Sequence, residues 1–208
     1  MKGSYFDVIF FGGGVIGYII WTISVVTVAL IIRYATLIRR ATIIPEIMRI
    51  QIQEMFDNKE YRDAIDVTAA DPSFLGYVVH AALAEAAHGY PAMERAMEEA
   101  SEERTTKMLR GLEWLNLIGN IGPMLGLFGT VWGMINVFFK IVEKGGMPKP
   151  EELAGGIGIA LVTTLLGLAV AIPALAGYAI YRNRIDSLTS EAMVASQDLI
   201  SGFRPGKK

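Results

Sequence analysis

Three stretches of this chain contain no Asp, Glu, Lys, Arg or His: Val15 to Ile32, Trp114 to Phe139 and Leu153 to Tyr181. About 20 apolar residues cross the hydrocarbon of a bilayer as a helix rising 1.5 Å per residue, so each block is long enough to span. Backbone amides cannot be left unpaired in hydrocarbon, and helix is the conformation that pairs them within a single segment. The expectation is three transmembrane helices, the second and third long enough to tilt or to protrude. Of 208 residues, 52% are apolar and 22 are glycine, which departs from an ordinary soluble composition in the same direction.

Within the second block, Gly119, Gly122, Gly126, Gly129 and Gly133 recur at three- and four-residue steps. That spacing puts them on one helix face, where another backbone can approach closely and lipid packs poorly. Thr130 lies beside this stripe. In the third block, Gly156, Ala160, Thr163, Gly167, Ala171 and Ala174 form a second small-residue stripe, with Thr164 next to it. Facing each other, the two stripes would make a close helix pair with hydroxyls from both sides. Two readings stay open: the threonines form a functional polar site, or they bond their own preceding-turn carbonyls and serve packing alone. Pro123 and Pro173 interrupt the hydrogen-bond ladders of these spans, as kinks or as hinges. Asn120 and Asn136 are candidates for bonds between helices.

A charge at the centre of a span costs roughly 2.5 to 3.5 kcal/mol on insertion scales, and none of the blocks carries one. A route for protons or cations ordinarily needs an ionisable or strongly coordinating group at depth. These blocks supply hydroxyls, amides and carbonyls, so an intramembrane carboxylate would have to come from a partner.

Orientation follows from the cations. Arg33, Arg39, Arg40 and Arg49 follow the first block, against Lys2 before it; Arg104, Lys107 and Arg110 precede the second; Arg182 and Arg184 follow the third. By the positive-inside rule these flanks are cytoplasmic and the amino terminus faces outward. Lys140, Lys144 and Lys149, accompanied by Glu143, Glu151 and Glu152, fit less cleanly between the second and third spans. The first block is too long for a cleavable signal and is read as an anchor. The expected fold is an all-α integral membrane protein. It is divided into an amphipathic leader at 1–14 with Tyr5, Phe6, Phe10 and Phe11, spans at 15–32, 112–139 and 153–181, a cytoplasmic helical segment at 33–111, a periplasmic loop at 140–152 and a cytoplasmic tail at 182–208.

The cytoplasmic segment shows helical patterning through Ile47, Ile50 and Met55, then Ala64, Ile65 and Val67, then Val78, Val79, Ala82, Leu83 and Ala86. Asp71-Pro72-Ser73 and Gly89-Tyr90-Pro91 mark breaks between helices. From Met93 to Glu113 helix formers run on toward the second span, so one long helix is expected to leave the membrane there, and the third span is expected to continue likewise past Asn183.

Several functions are set aside. There is no cysteine, hence no disulfide or thiolate chemistry. The net charge is −2 and no basic face with interleaved aromatics suggests nucleic acid. His80 and His88 have no further His or Cys to complete a metal site, and no nucleophile, base and orienting group come together for an enzyme. A secondary transporter is a weak reading without inverted repeats or a buried charge. A membrane scaffold, in which the stripes oligomerise the chain and its cytoplasmic helices recruit partners, remains the alternative to an ion channel.

The phrase Gly126-Leu-Phe-Gly-Thr-Val-Trp-Gly133 resembles the second-span signature of the MotA/TolQ/ExbB proton-channel family, in its three-span ExbB and TolQ branch. Ala160-Leu-Val-Thr-Thr-Leu-Leu-Gly-Leu-Ala-Val-Ala-Ile-Pro-Ala174 resembles the third-span signature. The resemblance implies a homopentamer in the bacterial inner membrane. Its second and third spans, with Gly119, Gly122, Gly126, Gly129, Gly133, Gly156, Ala160 and Gly167, would pack and line a central pore. That pore would hold an ExbD- or TolR-like single-span partner whose Asp titrates. Thr130 and Thr164 would be the pore hydroxyls near that Asp, and Pro123 and Pro173 the family prolines. Ion flow would do work on a TonB- or TolA-like periplasm-spanning protein, with no cofactor. Two departures stand out. Ile159 occupies the position where the branch usually has Glu, and Thr163 replaces a small apolar residue, giving a Thr-Thr pair similar to sodium-using flagellar stators. Adjacent hydroxyls and freed carbonyls are hard ligands suited to an alkali cation, so Na⁺ stands as the alternative to the default proton.

Overall fold

The computed structural model describes residues 13–143, 145 and 150–204. The aromatic leader, Lys144, Lys149 and the last residues of the tail lie outside the described residues. The described residues form helices joined by short connections, with no strand among them. In order it forms α1 (Gly14–Leu37), α2 (Arg40–Ile43), α3 (Glu46–Asp57), α4 (Tyr61–Ala70), α5 (Phe74–Ala84), a 3-10 turn (Ala86–His88), α6 (Tyr90–Glu143), α7 (Pro150–Ile200) and a second 3-10 turn (Ser201–Phe203). Helices α1, α6 and α7 are each long and apolar enough to cross a membrane.

Local chemistry sets the breaks. Asp71 accepts the Ser73 backbone N–H on Oδ1 at 3.2 Å, and the Ser73 hydroxyl accepts the Gly76 N–H at 3.0 Å. Together they cap α5 just past the end of α4. Gly89, at φ 89°, takes the left-handed conformation that ends the first 3-10 turn. Pro91 then sits in the first turn of α6, where its missing N–H costs nothing. Gly111 leaves α6 unbroken, while Pro123 and Pro173 lie inside α6 and α7. Each proline leaves the carbonyl four residues before it, that of Gly119 or Ala169, without the usual helical N–H.

The chain divides into two compact units, and α6 and α7 contribute to both. Among the described residues the first comprises 13–33 and Glu113–Ala179, the second Tyr34–Leu112 and 180–204. In the first unit, Ile20 of α1 is buried with Leu166 and Val170 of α7, and Ile118 and Leu125 of α6 pack against that cluster. Elsewhere the unit presents large apolar side chains outward, among them Trp114, Phe128, Trp132, Phe139, Leu165 and Ile172. Water would penalise so much apolar surface, whereas lipid or neighbouring helices would not.

The second unit has the opposite organisation. Leu75, Val78, Val79 and Ala82 of α5 are fully buried, as are Ile52 of α3, Met97 of α6 and Ile185 of α7. The inward face of α3 differs from the expected Ile47, Ile50 and Met55. Ile47 is 83% exposed and Ile50 is exposed, while Ile52 and Phe56 are buried with Met48 and Met55 half-buried beside them. Positions 48, 52, 55 and 56 fit one helical face better than 47, 50 and 55 do. Phe203 stacks edge-on against Phe56 with centroids 5.3 Å apart and lies 5.2 Å from the Tyr61 ring, tying the second 3-10 turn to α3 and α4. Arg104 donates to the Pro72 carbonyl at 2.8 Å and lies over the Tyr77 ring. The Tyr77 hydroxyl donates to Glu103, which raises its pKa above the usual phenol value.

Candidate functional site

The two small-residue stripes face each other within the first unit. A Cβ added at Gly122 would lie 3.0 Å from the Gly167 carbonyl oxygen, one at Gly126 2.9 Å from Thr164 Cα, and one at Gly133 2.9 Å from Ala160 Cβ. Going the other way, a Cβ at Gly167 would meet the Gly122 oxygen at 2.5 Å, and one at Gly156 would run into the Val137 side chain. Gly119 lies against Leu175 and Gly129 against Thr163. Side chains at these positions would push the antiparallel helices apart, so the absence of a Cβ is what permits the contact. The glycines of α6 therefore face α7 of the same chain, and Gly156 and Gly167 of α7 face α6.

That close approach assembles the three candidate threonines. The Gly126 carbonyl oxygen accepts from Thr164 at 3.1 Å, from Thr130 at 3.2 Å and, more distantly, from Thr163 at 3.4 Å. The Ala160 carbonyl oxygen accepts from Thr163 at 2.7 Å and from Thr130 at 3.0 Å. Thr130 and Thr164 are also hydrogen-bonded to each other through their hydroxyls. Each hydroxyl has one proton to donate. The available contacts outnumber those protons, so the network can rearrange its donors without moving a heavy atom.

The two readings of the threonines divide by residue. Thr130 bonds both its own preceding turn at Gly126 and, at 3.0 Å, the Ala160 carbonyl of α7, while Thr163 bonds back to Ala160 in its own helix at 2.7 Å and reaches Gly126 of α6 only at 3.4 Å. Thr164 instead donates across to α6. Thr163 is buried, at 2% exposure, and Thr130 and Thr164 are half-buried. Pro123 is half-buried, Pro173 exposed, and Ile159 exposed beside Ala160 without any polar group. Asn136 is exposed, and the bonds of Asn120 run within α6 to Asn116, at 2.7 Å to its carbonyl and 3.0 Å to its side chain, rather than between helices.

One polar feature escaped the sequence reading. Asn116 donates to Glu113 Oε2 at 2.9 Å, and Tyr178 of α7 donates to Glu113 Oε1 at 3.0 Å. The spacing of 113, 116 and 120 on one helical face was available as a signal, but Glu113 lies just outside the charge-free block and draws no attention there. Among the described residues no group of three or more His, Cys, Asp or Glu could hold a metal ion. His80 instead meets Thr68 at 3.3 Å and His88 meets Glu85 at 2.8 Å.

The arrangement gathers three hydroxyls around two carbonyl oxygens, and among the described residues no carboxylate lies beside them. The model of the MotA/TolQ/ExbB proton channel family matches residues 41–193. The biopolymer transport protein exbB1 of Vibrio cholerae serotype O1 is 45% identical over 76 residues, covering 36% of this chain and 33% of that protein. Biopolymer transport protein ExbB of Xanthomonas campestris is 32% identical over 116 residues, covering 56% and 46%. A Methanothermobacter thermautotrophicus protein named as an ExbB homolog is 32% identical over 180 residues, covering 85% and 63%. The chain spans less than two thirds of the length of each of these curated relatives.

Proposed function

The chain belongs to the MotA/TolQ/ExbB proton channel family, and from that premise we propose that it is the pore-forming subunit of an ion-driven complex in the bacterial inner membrane. It is a multi-pass membrane protein, with three helices apolar and long enough to cross. In the proposed complex five copies surround a single-span partner of ExbD or TolR type, whose Asp supplies the titrating group. Ion flow does work on a TonB- or TolA-like protein for outer-membrane import or envelope maintenance. The amino terminus faces the periplasm, and the helical segment at 33–111 and the tail at 182–208 lie in the cytoplasm.

The observation that carries this reading is the hydroxyl network of Thr130, Thr163 and Thr164 around the Gly126 and Ala160 carbonyls, inside stretches that contain no charge. Hydroxyls serve packing in many helix interfaces, but three of them gathered around two carbonyls of facing spans also offer polar partners to an ion or a partner carboxylate at depth. Because its contacts outnumber its three hydroxyl protons, the network can re-aim its donors, and a partner carboxylate brought beside Thr164 can be solvated in either protonation state. The proton is the default ion. The burial of Thr163 supports a packing role for that hydroxyl and weighs against an open site for Na⁺.

Flux through vesicles holding the chain and its single-span partner, at fixed membrane potential, tests the reading. Proton flux independent of Na⁺ is expected; flux requiring Na⁺ reverses the ion assignment. An assembled complex that carries neither ion supports the scaffold instead.

A further inference from the structure

The stripe on α6 that ends at Thr130 also carries a hydrogen-bonded ladder from Glu113. Asn120 donates to the Asn116 side chain at 3.0 Å, Asn116 donates to Glu113 Oε2 at 2.9 Å, and Tyr178 of α7 donates to the other Glu113 oxygen at 3.0 Å. Residues 113, 116, 120, 123, 127 and 130 follow one another at three- and four-residue steps, so Glu113, Asn116, Asn120, Pro123, Leu127 and Thr130 share one helix face, on which Leu127 is an exposed apolar member. The glycine stripe lies to one side of that face, packed on α7. On the other side lie Leu117, Ile121, Met124 and Phe128, all exposed and all apolar.

We propose that this ladder is the hydrated half of the ion route, joining the Glu113 end of the second span to the threonine cluster. It deepens the channel function proposed above and rests on it.

The argument is one of solvation. Asn120 is exposed and Asn116 half-buried, and their amides offer more donors and acceptors than the ladder uses. Turned toward lipid, the groups the ladder leaves over, the Asn120 amide oxygen and one Asn116 amide proton, would face hydrocarbon. Turned toward a lumen, they bond water. The apolar neighbours on the adjoining stripe have the reverse preference. One rotational setting of α6 satisfies both, with the 113–116–120 stripe on water and the 117–121–128 stripe on lipid or a neighbouring helix. Pro123 extends the polar stripe, because the Gly119 carbonyl lacks the N–H that residue 123 would otherwise supply. The ladder then ends at Asn120, about three helical turns before Thr130 on the same face. Glu113 closes the ladder at its mouth, held in place by Tyr178 and Asn116.

The chain has no cysteine, so single cysteines can be placed without a background. Asn116→Cys, Asn120→Cys, Leu117→Cys and Ile121→Cys would be made in the full chain, reconstituted with its single-span partner, and exposed to a cationic, membrane-impermeant methanethiosulfonate. Labelling at 116 and 120 at least tenfold faster than at 117 and 121 is expected. All four side chains project outward enough that packing within one chain does not explain such a difference. In parallel, Asn120→Leu and Asn116→Leu are expected to lower ion flux at least tenfold with partner capture unchanged by native mass spectrometry, and Asn120→Ser to restore part of it. Equal labelling at the four positions, or full flux in the Leu variants of a conducting complex, overturns the ladder and leaves the channel function standing. A wild-type complex that carries no ion overturns both. Should the Leu variants not assemble, the cysteine labelling decides.

Discussion

The hydroxyl of Thr164 reaches the carbonyl oxygen of Gly126 on the facing helix, 3.1 Å away. The contact exists because residue 126 has no side chain; a Cβ there would lie 2.9 Å from Thr164 Cα. Close packing and polar chemistry are thus one feature, since the glycine that lets the helices meet also exposes the carbonyl that gathers the threonines.

Thr164→Val keeps the shape of the side chain and removes the donor that crosses to α6. The chain should still assemble and capture its partner, because a single hydrogen bond contributes about 0.5 to 1.5 kcal/mol. Ion flux should fall at least tenfold. Wild-type flux in this variant would assign the hydroxyl to packing alone.

Gly167→Ala should separate the helix pair. The new Cβ meets a backbone oxygen that cannot rotate away, at 2.5 Å, so an overpacking cost of about 1 to 3 kcal/mol is expected. Gly155→Ala is the control, with nothing within 4 Å of its added Cβ and a helical position that favours Ala. Thermal unfolding in detergent should rank Gly167→Ala well below both wild type and Gly155→Ala; an unchanged melting temperature would refute the close packing.

In the second unit, Leu75→Ala and Ile52→Ala empty fully buried sites and should each cost about 2 to 5 kcal/mol. Ile47→Ala, at a position 83% exposed, should change stability by no more than about 0.5 kcal/mol. Limited proteolysis at graded denaturant compares the three directly, and a sensitive Ile47 variant would mean that α3 buries its other face.

Phe203→Ala removes a ring that contacts both Phe56 and Tyr61. Aromatic pairs add about 0.5 to 1.5 kcal/mol each beyond their burial, so hydrogen exchange should accelerate in α3 and α4. Exchange unchanged there would leave the second 3-10 turn without a structural role.

The three apolar spans, the glycine stripes and the helix breaks at Pro72 and Gly89 were legible in the residues because each depends on local chemistry: uninterrupted hydrophobicity, a repeat near 3.6, or a backbone angle that few residues adopt. The family signatures around Thr130 and Thr164 were legible for the same reason, being contiguous. What the linear order left open needed two segments brought together. Thr164 could bond back to its own helix or across to α6, and the register of the helix pair, set by which glycine meets which carbonyl, decided for the crossing bond. Asn120 looked suited to an interhelical bond, but Asn116 is one turn away on the same face and satisfies it first. Ile47 and Ile52 are equally apolar on paper; the packing of the second unit buries one and leaves the other in solvent. Sequence by itself determined which segments could be helices and which faces were small enough to touch. Tertiary structure decided which polar groups meet, because a hydrogen bond depends on tenths of an ångström that periodicity does not contain.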